Sequence, residues 1–373
     1  MSTRLRVAFD VGPVRANPAG VGLYATAMAT ALADVLQPGE LTLMGRRPDA
    51  SGLPPHVRAL PRSYRVPYPV WVELVSVRDA RQSGAGITHY TDGIVPIVRR
   101  GRTVVSVHDL SVIRHWRQHS AARIARAPLV LLSPHLADLV LVPSRATADE
   151  LVTLDRLAAR RIEIIPYAPQ HQMHSTDTAA THEIVTRYGL TVGRYLLALG
   201  TIEPRKNHLR LVQAFESLVA HREIDDDIWL VIAGADGWGH EAVLRAISGS
   251  PAVARIRRLG YVPAEDLPAL ITGARAAAYL SLYEGFGLPV VETLACGVPT
   301  VTSNASSMPE VAGDAGILVD PLSVADIARG LRDALRVSGD ARDAMARTSI
   351  EQAGRFSWSA SAEQTVDAYG LLA

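Results

Sequence analysis

Residues 274–299 read ARAAAYLSLYEGFGLPVVETLACGVP. The apolar, tyrosine-bearing half, residues 274–283, is short and bounded by a turn, which predicts a buried strand. Gly285 and Gly287 permit positive φ or close approach of a ligand to the backbone. Leu288 and Pro289 then open a helix, because proline suits the first helical turn, where its missing N–H is no loss. In a parallel α/β sheet such a turn lies at the carboxyl end of the strand, where ligands collect against helix N-termini. Glu284 is expected at the strand's mouth and Glu292, eight positions on, in the first turn of the helix, both facing one crevice. An ionised carboxylate accepts hydrogen bonds and donates none, so the pair suits a hydroxyl-rich ligand such as a sugar. A plainer reading fits the same residues, with Glu292 complementing the helix dipole and Glu284 solvated.

Outward from this unit, strand and helix patterns alternate along nearly the whole chain, which predicts an α/β protein with parallel sheets and helices on both faces. RLRVAFDV, LTLMG, ITHYT, TVVSVH, LVLVP and IEIIP supply strands for a first doubly wound domain. YLLALG, WLVIAG, IRRLGYV, AAYLSLY, PTVTS and AGILVD supply a second. The expected divisions are residues 1–168, a polar, proline-containing linker over 169–191, a second domain over 192–352, and a terminal helix over 353–373. That helix has apolar spacing but no sheet of its own to join, and is expected to pack back on the first domain.

A length of 373 residues with 48% apolar content allows two to three domains, each with a sizeable core. Cys296 is the single cysteine, so no intrachain disulfide forms, and an intracellular, cytoplasmic setting is favoured. MSTRLRVAFDV holds no long apolar stretch ahead of a cleavage site, and no later apolar run approaches about 20 residues. The expectation is a soluble or peripheral chain. The net charge of +1 hides an asymmetry: residues 1–168 hold 21 basic against 13 acidic residues, a surplus of +8, and the remainder holds 17 against 24, or −7. Arg99, Arg100, Arg102, Arg114, Arg117, Arg123 and Arg126 fall within 28 residues, with Trp116 among them. Such a stretch suits an anionic membrane surface or a lipid-linked diphosphate, and equally an ordinary solvated surface.

LLALGTIEPRKNHLRL places Gly200 after a strand, and Arg205 and Lys206 just before Asn207, a candidate helix cap. Two cations beside a helix N-terminus suit a diphosphate. Lys206 is the only lysine in a chain that uses arginine at 37 positions, which favours a specific role over a merely basic loop. PAGVGLY, residues 18–24, is a fragment of a dinucleotide fingerprint without its full glycine spacing, and serves equally as a tight turn. SVHDL, residues 106–110, ends a strand with His108 and Asp109, too close in sequence to Ser106 to converge as a triad. Metal sites are poorly supported: HWRQH lacks a zinc hydrolase's glutamate and reads as a solvated helical face, and DDD at 225–227 precedes a strand, at the end away from the ligand crevice.

These stretches together resemble the retaining glycosyltransferases of the GT-B fold, family 4 (group 1), which include many bacterial mannosyltransferases of polysaccharide synthesis. EGFGLPVVE is similar to the family's two-glutamate motif, GTIEPRKN to its phosphate-binding motif and SVHDL to its histidine strand end. VPSRATADEL, IIPYAP, LGYVPAEDLPAL, CGVPTVTSN, MPEVAGDAGILVDP and FSWSASAEQTVDAY follow in order, so the resemblance covers nearly the whole chain. One departure is Tyr167-Ala168 after IIP, where the family often carries Asn-Gly.

The resemblance implies a nucleotide-diphosphate sugar as co-substrate, GDP-mannose first and a UDP-sugar second, and a glycan or lipid-linked acceptor. It implies no cofactor, no metal and no nucleic-acid partner. Glu284 is then expected on the transferred sugar, Glu292 on the ribose, and Arg205 and Lys206 on the diphosphate with amides near Gly285, Phe286, Gly287 and Leu288. Gly20 and Gly22 are expected to approach from the first domain, His108 to contact the sugar, and the backbone around Tyr261 and Val262 to hold the base. A nicotinamide dehydrogenase needs the complete glycine fingerprint, which is absent. A nucleotide-sugar epimerase and a non-catalytic relative are the remaining alternatives.

Overall fold

The computed structural model describes residues 5–14, 20–61, 63–119, 121–154, 158–170 and 173–372. The chain divides into two compact units. The first comprises Met1–Arg114, Ala121–Tyr167 and Phe356–Ala373, and the second comprises His115–Ser120 and Ala168–Arg355.

The first unit is built on seven parallel strands: β1 (Val7–Asp10), β2 (Leu41–Met44), β3 (Arg58–Ala59), β4 (Ile87–Tyr90), β5 (Arg102–Ser106), β6 (Leu139–Val142) and β7 (Ile162–Ile164). Their order is β3-β2-β1-β4-β5-β6-β7, so the winding direction reverses between β1 and β4. Six of these strands are the apolar runs read from the sequence. The two-residue edge strand β3 has no such run, because an edge needs only one neighbour and little burial. Central β1, β4 and β6 are buried on both faces, which explains their continuous apolar character. The helix Val21–Val35 packs against the terminal helix Trp358–Gly370, and buried Ala25, Met28, Ala29 and Leu32 allow the close approach. Tyr369 of that terminal helix reaches His89 of β4, its hydroxyl 2.6 Å from Nδ1.

The second unit has six parallel strands: β8 (Tyr195–Leu199), β9 (Trp229–Ala233), β10 (Ile256–Gly260), β11 (Ala276–Tyr279), β12 (Thr300–Ser303) and β13 (Gly316–Val319). All six were legible as apolar runs. The order β10-β9-β8-β11-β12-β13 reverses its winding between β8 and β11. Leu196, Leu197, Leu230, Val231, Ile232 and Val301 form the centre of the sheet, each buried branched side chain contributing roughly 1.5–3 kcal/mol.

One expectation needs correcting here. The helix Thr178–Arg187 lies inside the stretch 169–191 expected to be linker, and the Asp177 side chain caps it by accepting from the Ala180 N–H at 2.9 Å. Its threonine-rich composition hides the helical spacing, and only Thr181 and Val185 are fully buried, against the helix Leu267–Thr272.

Candidate active site

In the second unit the turns after β8 and β11 stand side by side, because these strands pair directly. A ligand crevice is expected outside the carboxyl ends of strands where the winding reverses, and both turns lie there. After β8 the chain passes Gly200 at φ 110°, then a 3-10 turn, Pro204–Lys206. After β11 it passes Glu284, then Gly287 at φ 105°, which opens the helix Leu288–Ala295. The Leu282 N–H donates to the Arg205 carbonyl at 2.8 Å and joins the two turns.

This pairing assembles a compact charged cluster. Arg205 Nη1 lies 2.7 Å from Glu284 Oε2 and donates to the Tyr283 carbonyl at 2.8 Å, and Nη2 donates to Glu203 Oε1 at 2.8 Å. Lys206 Nζ donates to Glu284 Oε1 at 2.6 Å and also to the Tyr279 hydroxyl. That hydroxyl donates in turn to Glu284 Oε1 at 2.9 Å. Side-chain exposures are only 10% for Arg205, 12% for Lys206 and 11% for Glu284. Burial by itself pushes the Glu284 carboxyl up, but Lys206 and Arg205 overcome it and hold the group at about 2. Glu284 is therefore an ionised, acceptor-only group.

Ser306 and Ser307 fasten the Glu284 turn, and sequence reasoning did not single them out. The Glu284 N–H donates to Ser306 Oγ at 2.9 Å, and the two hydroxyls donate to the Glu284 carbonyl at 2.9 and 3.0 Å. Ser307 also reaches the Phe286 carbonyl at 2.7 Å. The available signal was their position directly after strand-forming PTVTSN, at the next strand's carboxyl end.

Several expected placements change. Glu292 lies in the second turn of its helix, not the first, and is buried. Burial raises its carboxyl to about 7, opposed by a hydrogen bond with the Gln170 side chain. Glu292 thus belongs to a different environment from Glu284, despite the shared motif. Asn207, at φ 62°, makes no side-chain cap. Its Nδ2 instead donates to the Pro321 carbonyl at 2.7 Å, so it ties the turn to the segment after β13. Tyr261 and Val262 follow β10, the first exposed and the second buried. His119 is buried, not part of a solvated face.

In the first unit, Gly20 at φ 53° precedes the helix Val21–Val35 and Gly22 is buried in its first turn; Pro18 and Ala19 of PAGVGLY lie outside the described residues. His108, two residues beyond β5, has both ring nitrogens engaged. Nε2 faces the Thr91 carbonyl at 2.5 Å, and Nδ1 meets the Tyr167 hydroxyl. A carbonyl only accepts, so Nε2 carries the proton and Nδ1 accepts from Tyr167. Burial lowers the affinity of this ring for a second proton. Tyr167, the departure from the family pattern, is thus the residue that orients His108.

The same strand ends hold groups that the sequence did not flag. Asp10, ending β1, is fully buried, accepts from the Tyr68 hydroxyl and from the Gly12 N–H at 2.7 Å, and is raised to about 7 by burial. Asp92, after β4, takes Arg126 Nη2 at 2.6 Å. Among the described residues no three His, Cys, Asp or Glu side chains converge to hold a metal ion. Asp225 and Asp227 of the acidic turn before β9 instead face Arg194, which precedes β8.

Residues 190–352 match the family model described as glycosyl transferases group 1. The chain is 31% identical to O-antigen chain mannosyltransferase B of Escherichia coli, over 99% of this chain and 100% of that one. Its fold is similar to that of Anabaena HepE in complex with UDP and glucose (TM-score 0.75, 16% identity, 98% of this chain and 99% of that one). It is also similar to sucrose-phosphate synthase of Thermosynechococcus elongatus (TM-score 0.76, 20% identity, 99% of each). With its two doubly wound sheets and the Arg205–Lys206–Glu284 cluster at a reversal of winding, the chain belongs to the group 1 glycosyltransferases of the GT-B fold.

Proposed function

We propose that this glycosyltransferase moves a hexose from a nucleotide-diphosphate sugar to a glycan or lipid-linked acceptor, with retention of configuration and without a metal ion. GDP-mannose is the first donor to test, on the strength of the mannosyltransferase relative. A UDP-sugar is the second, because the similar HepE structure holds UDP and glucose. The observation that carries the proposal is Glu284 held between Arg205 and Lys206 at the β8/β11 reversal.

In this reading Arg205 and Lys206 turn donors toward the leaving diphosphate, whose charge grows as the glycosidic bond breaks. Preorganised donors stabilise such developing charge without reorganisation, so this is the largest catalytic contribution. Their positive charge takes the place a divalent cation otherwise fills. Glu284, ionised throughout the neutral range, accepts from hydroxyls of the transferred sugar while its anomeric carbon becomes oxocarbenium-like. Glu292 accepts from the ribose hydroxyls, and the backbone near Tyr261 and Val262 holds the base.

Incubation with GDP-mannose alone and with a mannoside acceptor tests the activity. Transfer with retained anomeric configuration, persisting after exhaustive chelation, is the expected result. Isomerised donor without transfer indicates an epimerase, and loss of turnover restored by manganese removes the metal-free mechanism.

The proposal extends to peripheral attachment at an anionic membrane through the first unit. No helix among the described residues is long and apolar enough to cross a membrane. The arginine run is not wholly available for such contact: Arg102, Arg114 and Arg126 pair with Asp138, Glu150 and Asp92. Exposed Leu74, Ile97 and Val98, with Arg99 and Arg100 beside them, form the better-suited edge, and the Ile97 N–H joins its two segments by donating to Glu73 Oε2 at 3.2 Å. Co-sedimentation with anionic but not neutral vesicles, weakened by salt, is expected; equal binding to both, or to neither, removes the attachment.

A further inference from the structure

The apolar strand β11 ends on a hydroxyl. Tyr279 is buried, as its apolar neighbours in the strand are, yet its ring oxygen stands between two charges of the cluster. Lys206 only donates and ionised Glu284 only accepts, so the sense of both bonds is fixed. The ammonium donates to the Tyr279 oxygen, and the Tyr279 hydroxyl donates to Glu284 Oε1 at 2.9 Å. Burial and the Glu284 charge push this phenol well above its ordinary range, so its proton stays in place throughout the neutral range. The tyrosine is also firmly seated. Thr302 Oγ1, from neighbouring β12, donates to the Tyr279 carbonyl at 2.8 Å, and the turn at Gly200 packs against both side chains: a Cβ there would lie 3.6 Å from the Tyr279 ring and 4.0 Å from Lys206 Cε.

The hydrogen bonds leave each charge with little freedom. Lys206 has three N–H donors, and Tyr279 and Glu284 take two of them. Tetrahedral geometry then fixes the third, which has no partner among the described residues, and 12% of the side chain stays exposed for a ligand to reach it. Glu284 has three of its roughly four acceptor positions filled, by Lys206, Tyr279 and Arg205. One donor on the cation and one acceptor on the carboxylate thus remain. Without the Tyr279 oxygen, a single bond to Glu284 would hold the ammonium, and the group would turn about that bond.

We propose that the Tyr279 hydroxyl is a positioning group for transfer, holding the Lys206 ammonium in the one orientation that presents its third N–H to the leaving diphosphate. The proposal rests on the donor reading above and adds to it a residue that touches neither sugar nor nucleotide. A donor fixed before the reaction stabilises developing charge without reorganising, so loss of the hydroxyl falls on the rate and little on ground-state binding.

Tyr279→Phe tests it, because the substitution keeps the ring, whose centre lies 4.8 Å from Nζ, and removes only the oxygen. Lys206 is the only lysine, so isotope labelling of lysine side-chain nitrogen gives a single ammonium signal by NMR. In the unaltered chain that signal is expected to be sharp and slow to exchange with water, and in Tyr279→Phe to shift and broaden. The kcat of the variant is expected to fall at least about tenfold while the donor KM changes by less than about threefold, and an unfolding midpoint establishes that it is folded. An unchanged kcat in the folded variant, a loss confined to KM, or the same ammonium signal in both proteins overturns the proposal. Rapid exchange of the Lys206 ammonium in the unaltered chain overturns it without any variant. If the unaltered chain turns over no nucleotide sugar, the donor reading falls, and the ammonium signal still decides whether the hydroxyl holds Lys206.

Discussion

Glu284 is shared between two cations, accepting from Lys206 at 2.6 Å through one carboxylate oxygen and meeting Arg205 at 2.7 Å through the other. Removing one partner of a buried ion pair leaves the other charge uncompensated, at a cost of about 3–5 kcal/mol. Glu284→Gln is therefore expected to lower the unfolding midpoint markedly and to depress transfer. Free nucleoside diphosphate should bind at least as well, because both cations lose their competing carboxylate. Calorimetry showing a tenfold loss of nucleotide affinity in a folded Glu284→Gln protein contradicts this assignment.

The same carboxylate sets an acid limit. Its folded value of about 2 lies below the ordinary 4.5, so its stabilisation is present above about pH 4.5 and is lost as pH falls toward 2. Glu292 has the opposite sign, raised from 4.5 to about 7. Its protonated form is favoured in the fold, so that stabilisation is full below pH 4.5 and lost as pH rises through 7. Asp10, also raised to about 7, acts in the same direction. Glu292→Gln is expected to gain roughly 3 kcal/mol relative to the unaltered chain on going from pH 4.5 to pH 8. Urea unfolding at the two pH values measures it, and an unchanged difference refutes the buried protonation.

Glu292→Gln also probes the proposed ribose contact. Affinity for the free nucleotide is expected to fall about tenfold, whereas the Glu284 variant spares it. Equal losses in the two variants, read by calorimetry, dissolve the distinction between their roles.

Lys206→Arg tests the solitary lysine. Nζ sits between the Tyr279 hydroxyl and Glu284 at 12% side-chain exposure, and a planar guanidinium does not fit a site shaped for a compact ammonium. At least about a tenfold loss of transfer rate is expected, a difference of about 1.4 kcal/mol in the barrier. An unaltered rate and nucleotide affinity would mean that charge alone, not shape, is used.

Gly234→Ala acts on the same turn from a neighbouring strand. A Cβ there meets the Gly200 carbonyl oxygen at 2.0 Å, so the backbone leading to Arg205 and Lys206 must move. Loss of both stability and nucleotide binding is expected. Gly249→Ala, with open space around the added carbon, serves as the tolerated control. Wild-type nucleotide binding by Gly234→Ala would separate the Gly200 turn from the site.

Twelve of the thirteen strands among the described residues were legible as short apolar runs, and the terminal helix as apolar spacing, because period and turn chemistry are local properties. The same locality made Leu288 and Pro289 readable as a helix opening and Arg205 and Lys206 as a cationic turn. The helix Thr178–Arg187 escaped because Asp177 and a few buried positions form it without a broad apolar face.

The tertiary structure alone decided who meets whom. Lys206 and Glu284 are 78 residues apart, Tyr68 and Asp10 are 58 apart, and Arg126 and Asp92 are 34 apart. The first pair forms because β8 and β11, distant in sequence, become neighbours where the sheet reverses its winding; the other two tie the ends of β1 and β4 to the helical connections that begin at Tyr68 and after Arg126. Burial and its partners then settled the charges: Lys206 and Arg205 hold Glu284 ionised against the effect of burial, whereas burial pushes Glu292 toward neutrality. The amino-acid sequence thus determined the elements and the residue types at their ends. Strand order, which no local pattern encodes, determined which ends form a site.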